Sequence, residues 1–295
     1  HKGVLVLTPS GLKGRGVFEW DGGKLTSRLI AYGPFQAGAD TADLQIKSLS
    51  GGGIAFDSKN VDGELDFDKQ DGHFKANTAD ANTTLPLDKY QTSMNEFDWD
   101  MKEQTIKFKA DPNKPGVFIS IDPNRDSLRF TGKTALYDMK TNLLKVGGVE
   151  VIKSADAFIY TEKGDIEIQA GGAMAQLTNA KIVADTVNKY HTITRATVDI
   201  SGKKDYKAKG YYQYNIPGYE QEILFDNIIG ERVGGGSRNT KNVLTSASGP
   251  IKEETNFRMD IKTFFKGDAK LEANKPNMRF EGFAKIDADK LPNSQ

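Results

Sequence analysis

The chain has no cysteine, which removes disulfide staples, thiolate metal sites and cysteine nucleophiles together. It has only three histidines, His1, His73 and His191, and no nucleophile-elbow, zinc-helix, phosphate-loop or dinucleotide pattern surrounds them. A non-enzymatic role is the expectation. Forty basic residues balance forty acidic ones, so no global field draws nucleic acid or anionic lipid. No stretch approaches the roughly 20 apolar residues of a membrane helix. The opening His1-Lys2-Gly3-Val4 has neither methionine nor the apolar core of a signal peptide. It reads as an excised or processed piece, with any signal or anchor outside it. Helical periodicity is scarce, and only residues 179–190 suggest a short helix.

What the chain does have is β pattern and 30 glycines to turn it. In residues 127–160, SLRFTGKTALYDMKTNLLKVGGVEVIKSADAFIY, the pairs Leu128 and Phe130, Ala135 and Tyr137, and Leu144 and Val146 alternate with polar neighbours. Period 2 marks half-buried strands. Thr131-Gly132-Lys133, residues 138–142 and Gly147-Gly148 supply the turns between them. Short strands joined by tight turns build antiparallel meanders or hairpin stacks, because parallel neighbours need long crossovers. The predicted fold is all-β: elongated, stacked antiparallel layers of β-jellyroll or β-solenoid type, in one unit or two.

The densest turn cluster, Asp111-Pro112-Asn113-Lys114-Pro115-Gly116, places a junction at 111–126 between an N-terminal β unit, 1–110, and a C-terminal one, 127–295. Residues 3–8, GVLVLT, are continuously apolar, as expected of a strand buried on both faces. Residues 233–242, VGGGSRNTKN, read as a mobile loop. The stretch 163–170 echoes 266–273, without a fixed period along the chain.

Two constellations could carry chemistry. Alternation over 61–68 puts Asp62, Glu64, Asp66 and Asp68 on one strand face. Calcium needs six to eight oxygens around one point, whereas alternate side chains on a flat strand lie ~6.6 Å apart. Only Asp66, Asp68 and Asp71, at the turn, are candidate cation ligands; a solvated strand face is the plainer reading. Among the aromatics, Tyr212 and Tyr214 share a face, and with Trp99 they are candidates for stacking on a saccharide or partner. Packing within strands explains them as well. No cofactor is expected.

Ala135-Leu136-Tyr137-Asp138, Asn142, Leu144 and Gly148-Val149 resemble the repeating unit of the OstA-like periplasmic proteins of lipopolysaccharide transport. The resemblance implies a folded β-jellyroll, lipid or lipopolysaccharide as ligand, and a periplasmic or outer-membrane location. The absence of a steady repeat departs from that family. HKGVLVLTPSGLKGRG, ADTADLQI, NEFDWDMKEQTIKF and residues 127–160 are similar to large β-repeat envelope proteins of Bacteroidota-type bacteria, which implies a structural or transport-accessory role without catalytic residues. The leading expectation is a non-enzymatic envelope protein that binds a partner, further β layers or lipid through sheet edges or an apolar groove. The alternatives are a carbohydrate-binding module or glycoside-active enzyme, and a plug or accessory of an outer-membrane secretion channel.

Overall fold

The computed structural model describes residues 1–78, 83–94, 96–111, 113–233 and 243–287. Within these the chain is all-β and antiparallel, with no α-helix and two single turns of 3-10 helix. It divides into two units, one of residues 1–150 with 163–175, the other of 151–162 with 176–295.

In the first unit five long strands, β1 (Lys2–Thr8), β2 (Gly11–Trp20), β3 (Gly23–Tyr32), β4 (Gln36–Lys47) and β5 (Ile54–Asp66), form a meander. Shorter strands follow: β6 (Asp71–Ala76), β7 (Thr83–Leu85), β8 (Tyr90–Thr92), β9 (Glu96–Asp100) and β10 (Thr105–Lys109). Next come β11 (Gly116–Ser120), β12 (Arg129–Gly132), β13 (Thr134–Asp138) and β14 (Leu143–Gly147). After β15 (Val151–Ser154) and β16 (Ala157–Tyr160), which belong to the second unit, β17 (Ile166–Ile168) completes the first.

The meander branches at β5. Its residues 61–66 pair with β6, while Asp57 and Ser58 pair with β7. One branch continues through β9, β10, β13, β14 and β17, the other through β8, β11 and β12. Register shifts at Gly14/Gly16 and Ala39/Ala42 bend the long strands between the branches, as bulges do. The two branches face each other as layers. Phe56 meets Phe97 and Phe108 across the gap, with ring centroids 4.8 and 6.0 Å apart. At Gly132 on β12, an added Cβ would lie 2.3 Å from Val146 Cγ1 on β14, so only glycine fits.

Three hairpin loops of the first branch repeat one design. Residues 67–70, 101–104 and 139–142 each follow an aspartate and end on a residue with positive φ: Gln70, Gln104 and Asn142. Asp66 Oδ1 accepts from the backbone N–H groups of Asp68 and Lys69, Asp100 Oδ1 from that of Glu103, and Asp138 Oδ1 from those of Lys140 and Thr141. Successive loops are tied together, Met101 N donating to the Gln70 carbonyl at 2.9 Å and Met139 N to that of Gln104 at 3.0 Å. This recurrence of loops is separate from the sequence echo between residues 163–170 and 266–273.

The second unit holds β15, β16, β18 (Leu177–Ala184), β19 (His191–Ile200), β20 (Tyr206–Gln213) and β21 (Glu222–Arg232). It continues with β22 (Val243–Ile251), β23 (Arg258–Asp260), β24 (Thr263–Glu272) and β25 (Arg279–Ile286). β15 pairs with β16, β16 with β18, and each strand from β18 to β22 with the next. β22 then passes to β24, and β24 to β25. Ile182, Ile193, Val198, Tyr206, Phe225 and Leu271 are buried. The Tyr206 hydroxyl lies 2.9 Å from Thr245 Oγ1, which in turn donates to Asp156.

Three expectations are corrected here. Residues 179–184 belong to β18 and 185–189 form a turn closed by Lys189 N donating to the Asp185 carbonyl, so there is no helix. The segment 111–126 lies inside the first unit, because β10 pairs across it with β13 and β11 reaches back to β8. Its turn formers close local loops and separate no domains. β1 is exposed from Lys2 to Leu7 and, among the described residues, pairs only with β2; the apolar run is not buried on both faces. The loop expected at 233–242 falls, from 234 onward, outside the described residues.

Candidate functional site

The most distinctive surface is the open edge of β1. Cross-strand partners share a sheet face, and the rows across β1 are informative. Leu5 stands opposite Gly14, which stands opposite Ile30; Leu7 continues through Leu12, Tyr32, Ala37 and Leu65. Ile30, Ala37 and Leu65 are core residues. Leu5 and Leu7 therefore lie on the same apolar face as the core, yet Leu5 is 50% and Leu7 81% exposed. Val4 and Val6, on the other face, are also half-exposed. The interior face of the folded sheet runs out to its edge uncovered.

The backbone of β1 is open as well. A Cβ placed on Gly3 would lie 3.0 Å from Gly16 Cα, and one on Gly16 the same distance from Gly3 Cα. So close an approach marks a non-hydrogen-bonded pair. By alternation Lys2, Val4, Val6 and Thr8 bond to β2, whereas Gly3, Leu5 and Leu7 turn their N–H and C=O groups outward. Edge strands normally guard such groups with charge, proline or bulges; β1 has one charge, Lys2, at its end.

The predicted cation ligands do not converge. Asp66 spends one carboxylate oxygen on the turn amides, and its other receives Gln36 Nε2 at 3.2 Å and Lys69 Nζ at 3.3 Å. The backbone bond from Lys69 and then the Gln36 amide hold its pKa down at about 2. Asp68 and Asp71 are exposed. Among the described residues no group of three or more histidine or acidic side chains could hold a metal ion. The carboxylate that looked like a ligand is a turn cap.

The predicted stacking residues are packed against protein. Trp99 is 2% exposed, its ring 6.2 Å from that of Trp20, so it presents no face to a ligand. Tyr212 is half-buried against His191 and Phe225. The Tyr214 hydroxyl donates to the Met259 carbonyl at 3.1 Å, and its ring packs on Phe257 and Phe280. Burial raises both tyrosine pKa values. Trp99 belongs to the first unit and the two tyrosines to the second, and each ring packs within its own unit.

The space between the layers of the first unit is filled by its own rings. Phe56, Phe74, Tyr90, Phe97, Phe118 and Tyr137 are fully buried there. A groove of about 800 Å³ on the outer face sets the ionisable side chains of Asp62, Glu64, Lys69 and His73 among Ala31, Tyr32 and Ala39, and an acyl chain laid there would desolvate those groups. Beside it His73 Nδ1 lies 2.6 Å and Lys109 Nζ 2.8 Å from Asp98. Burial alone would raise the Asp98 pKa, but the hydrogen bonds from Lys109 and His73 outweigh it and hold the carboxyl below its usual range.

The edge residues Gly3, Leu5 and Leu7 were absent from the sequence candidates. The run GVLVLT carries the signal, since an apolar strand is either enclosed or open. Comparison with known proteins returns no matching family model, no similar curated protein and no similar solved structure. The class defined by fold and site is an all-β protein of two units with an unguarded apolar sheet edge.

Proposed function

We propose that this chain is a non-enzymatic scaffold module of a bacterial cell envelope, working by adding a further β-strand at β1. The observation that carries the reading is the uncovered core face at Leu5 and Leu7 beside outward backbone groups of Gly3, Leu5 and Leu7. An incoming antiparallel strand would satisfy those groups and cover the face, the physics of β-augmentation. The tied loops at 67–70, 101–104 and 139–142 support the likeness to the stacked units of OstA-like jellyroll proteins. The envelope setting rests on that likeness and on the similarity to Bacteroidota-type envelope proteins. Strand addition is favoured over lipid carriage because the interlayer space of the first unit is occupied by side chains.

In-cell photocrosslinking tests it. A benzoylphenylalanine at Leu5 should capture a defined protein in the envelope fraction of a gram-negative host. The same probe at Val187, a still more exposed turn residue of the second unit, should not. Equal capture from both sites, or none from Leu5, would remove the reading.

A further inference from the structure

The sequence of β1 is complementary to itself in one antiparallel register. Outward backbone groups belong to Gly3, Leu5 and Leu7, which are symmetric about Leu5. Two copies of β1 related by a two-fold axis through Leu5 would pair Gly3 with Leu7, Leu5 with Leu5 and Leu7 with Gly3. Each would be a hydrogen-bonded pair, so every outward group from Gly3 to Leu7 gains a partner. A shift by one step either way would leave one of the three residues unpaired.

Side chains fit the same register. On the core face, the highly exposed Leu7 would lie opposite Gly3, whose missing side chain leaves room for it, and Leu5 would meet Leu5. On the other face Val4 meets Val6. Lys2, the only charge on the strand, meets Thr8, so no like charges oppose each other. The chain as a whole carries no net charge and does not repel its own kind. The edge of β25 exposes Phe283 and Ile286 as well, but it differs in carrying Arg279, Glu281 and Lys285 among them, charges of the kind that guard an edge.

We propose that the occupant of the β1 edge is β1 of a second copy of this chain, paired antiparallel about Leu5 in an isologous dimer. The inference rests on the strand-adding reading above and names its partner. One strand pair with its flanking side chains covers less than the roughly 800 Å² per partner of a standard stable interface. The dimer is therefore a concentration-dependent one.

Sedimentation of the purified chain over a wide concentration range should show a reversible monomer–dimer equilibrium. Leu5→Lys, which brings two like charges together on the axis, should raise the dissociation constant about tenfold or more with unchanged circular dichroism. Because the chain has no cysteine, register can be read by single substitutions. Leu5→Cys should form a disulfide-linked dimer, since hydrogen-bonded partners lie ~5.5 Å apart, within disulfide reach. Val4→Cys alone should not, its own mate being about 8 Å away, but mixing it with Val6→Cys should restore the crosslink. A monomer at every concentration with no Leu5→Cys crosslink would overturn the second-copy inference. Capture of another protein from Leu5 in cells would then still uphold strand addition. Crosslinking equally efficient at all three positions would overturn the register.

Discussion

Asp88 is the residue whose environment most contradicts its chemistry. It sits in the loop between β7 and β8, is fully buried, and neither carboxylate oxygen has a hydrogen-bond partner among the described residues. Burial lifts its pKa from 3.8 to about 7. The loop is held by Gly171 N donating to the Leu87 carbonyl at 2.8 Å. Because the folded pKa is raised, the folded state keeps its proton while the unfolded chain ionises. Stability is fully present below about pH 4 and falls as pH rises toward 7, at up to ~1.4 kcal/mol per pH unit. Asp88→Asn should abolish this slope. The melting points of the two proteins should differ by a nearly constant amount near pH 4 and diverge in favour of the variant up to pH 7, above which the gap is constant. Parallel curves from pH 4 to 8 would show that Asp88 does not titrate in this window.

At the scale of elements, the tied hairpin loops account for the order of the first branch. Each aspartate caps its own loop, and each loop bonds to the previous one, so local turn chemistry fixes which hairpin lies next to which. Asp100→Ala removes the bond to Glu103 N and should cost about 1 kcal/mol in denaturant unfolding, with the loop amides exchanging faster; an unchanged midpoint would show the cap to be redundant. Much of this was legible beforehand. The alternation around Phe130, Tyr137 and Val146 places all three in buried positions of real strands, and Asp138 to Asn142 is a turn as its composition implies. The recurrence was harder to see because the loop residues differ, Phe67, Met101 and Met139 sharing only apolar character, and the spacing between loops is uneven. Two other features were illegible in principle. Alternation could place Tyr212 and Tyr214 on one face but not say what packs on it, and an apolar run such as GVLVLT reads the same in an enclosed strand as in an open one. Neighbour count is a property of long-range pairing, and the same pairing, β10 with β13 across Asp111 to Asp126, hid the true unit boundary.

At the scale of the molecule, a neutral chain whose first unit is filled by its own rings offers its sheet edges as places where association can act. β25 sets three charges among its exposed Phe283 and Ile286, whereas β1 exposes apolar side chains with a single charge at its end. That difference is why the proposed strand addition is placed at β1, and long unguarded edges are otherwise aggregation hazards. Residue-resolved amide exchange along β1, in dilute and in concentrated protein, tests this most directly. The predicted result in dilute solution is fast exchange at Gly3, Leu5 and Leu7 with slow exchange at Val4, Val6 and Thr8, and protection of the first three as concentration rises. Slow exchange at all six residues in dilute solution would mean that the edge is already covered, and would contradict an open strand-accepting site.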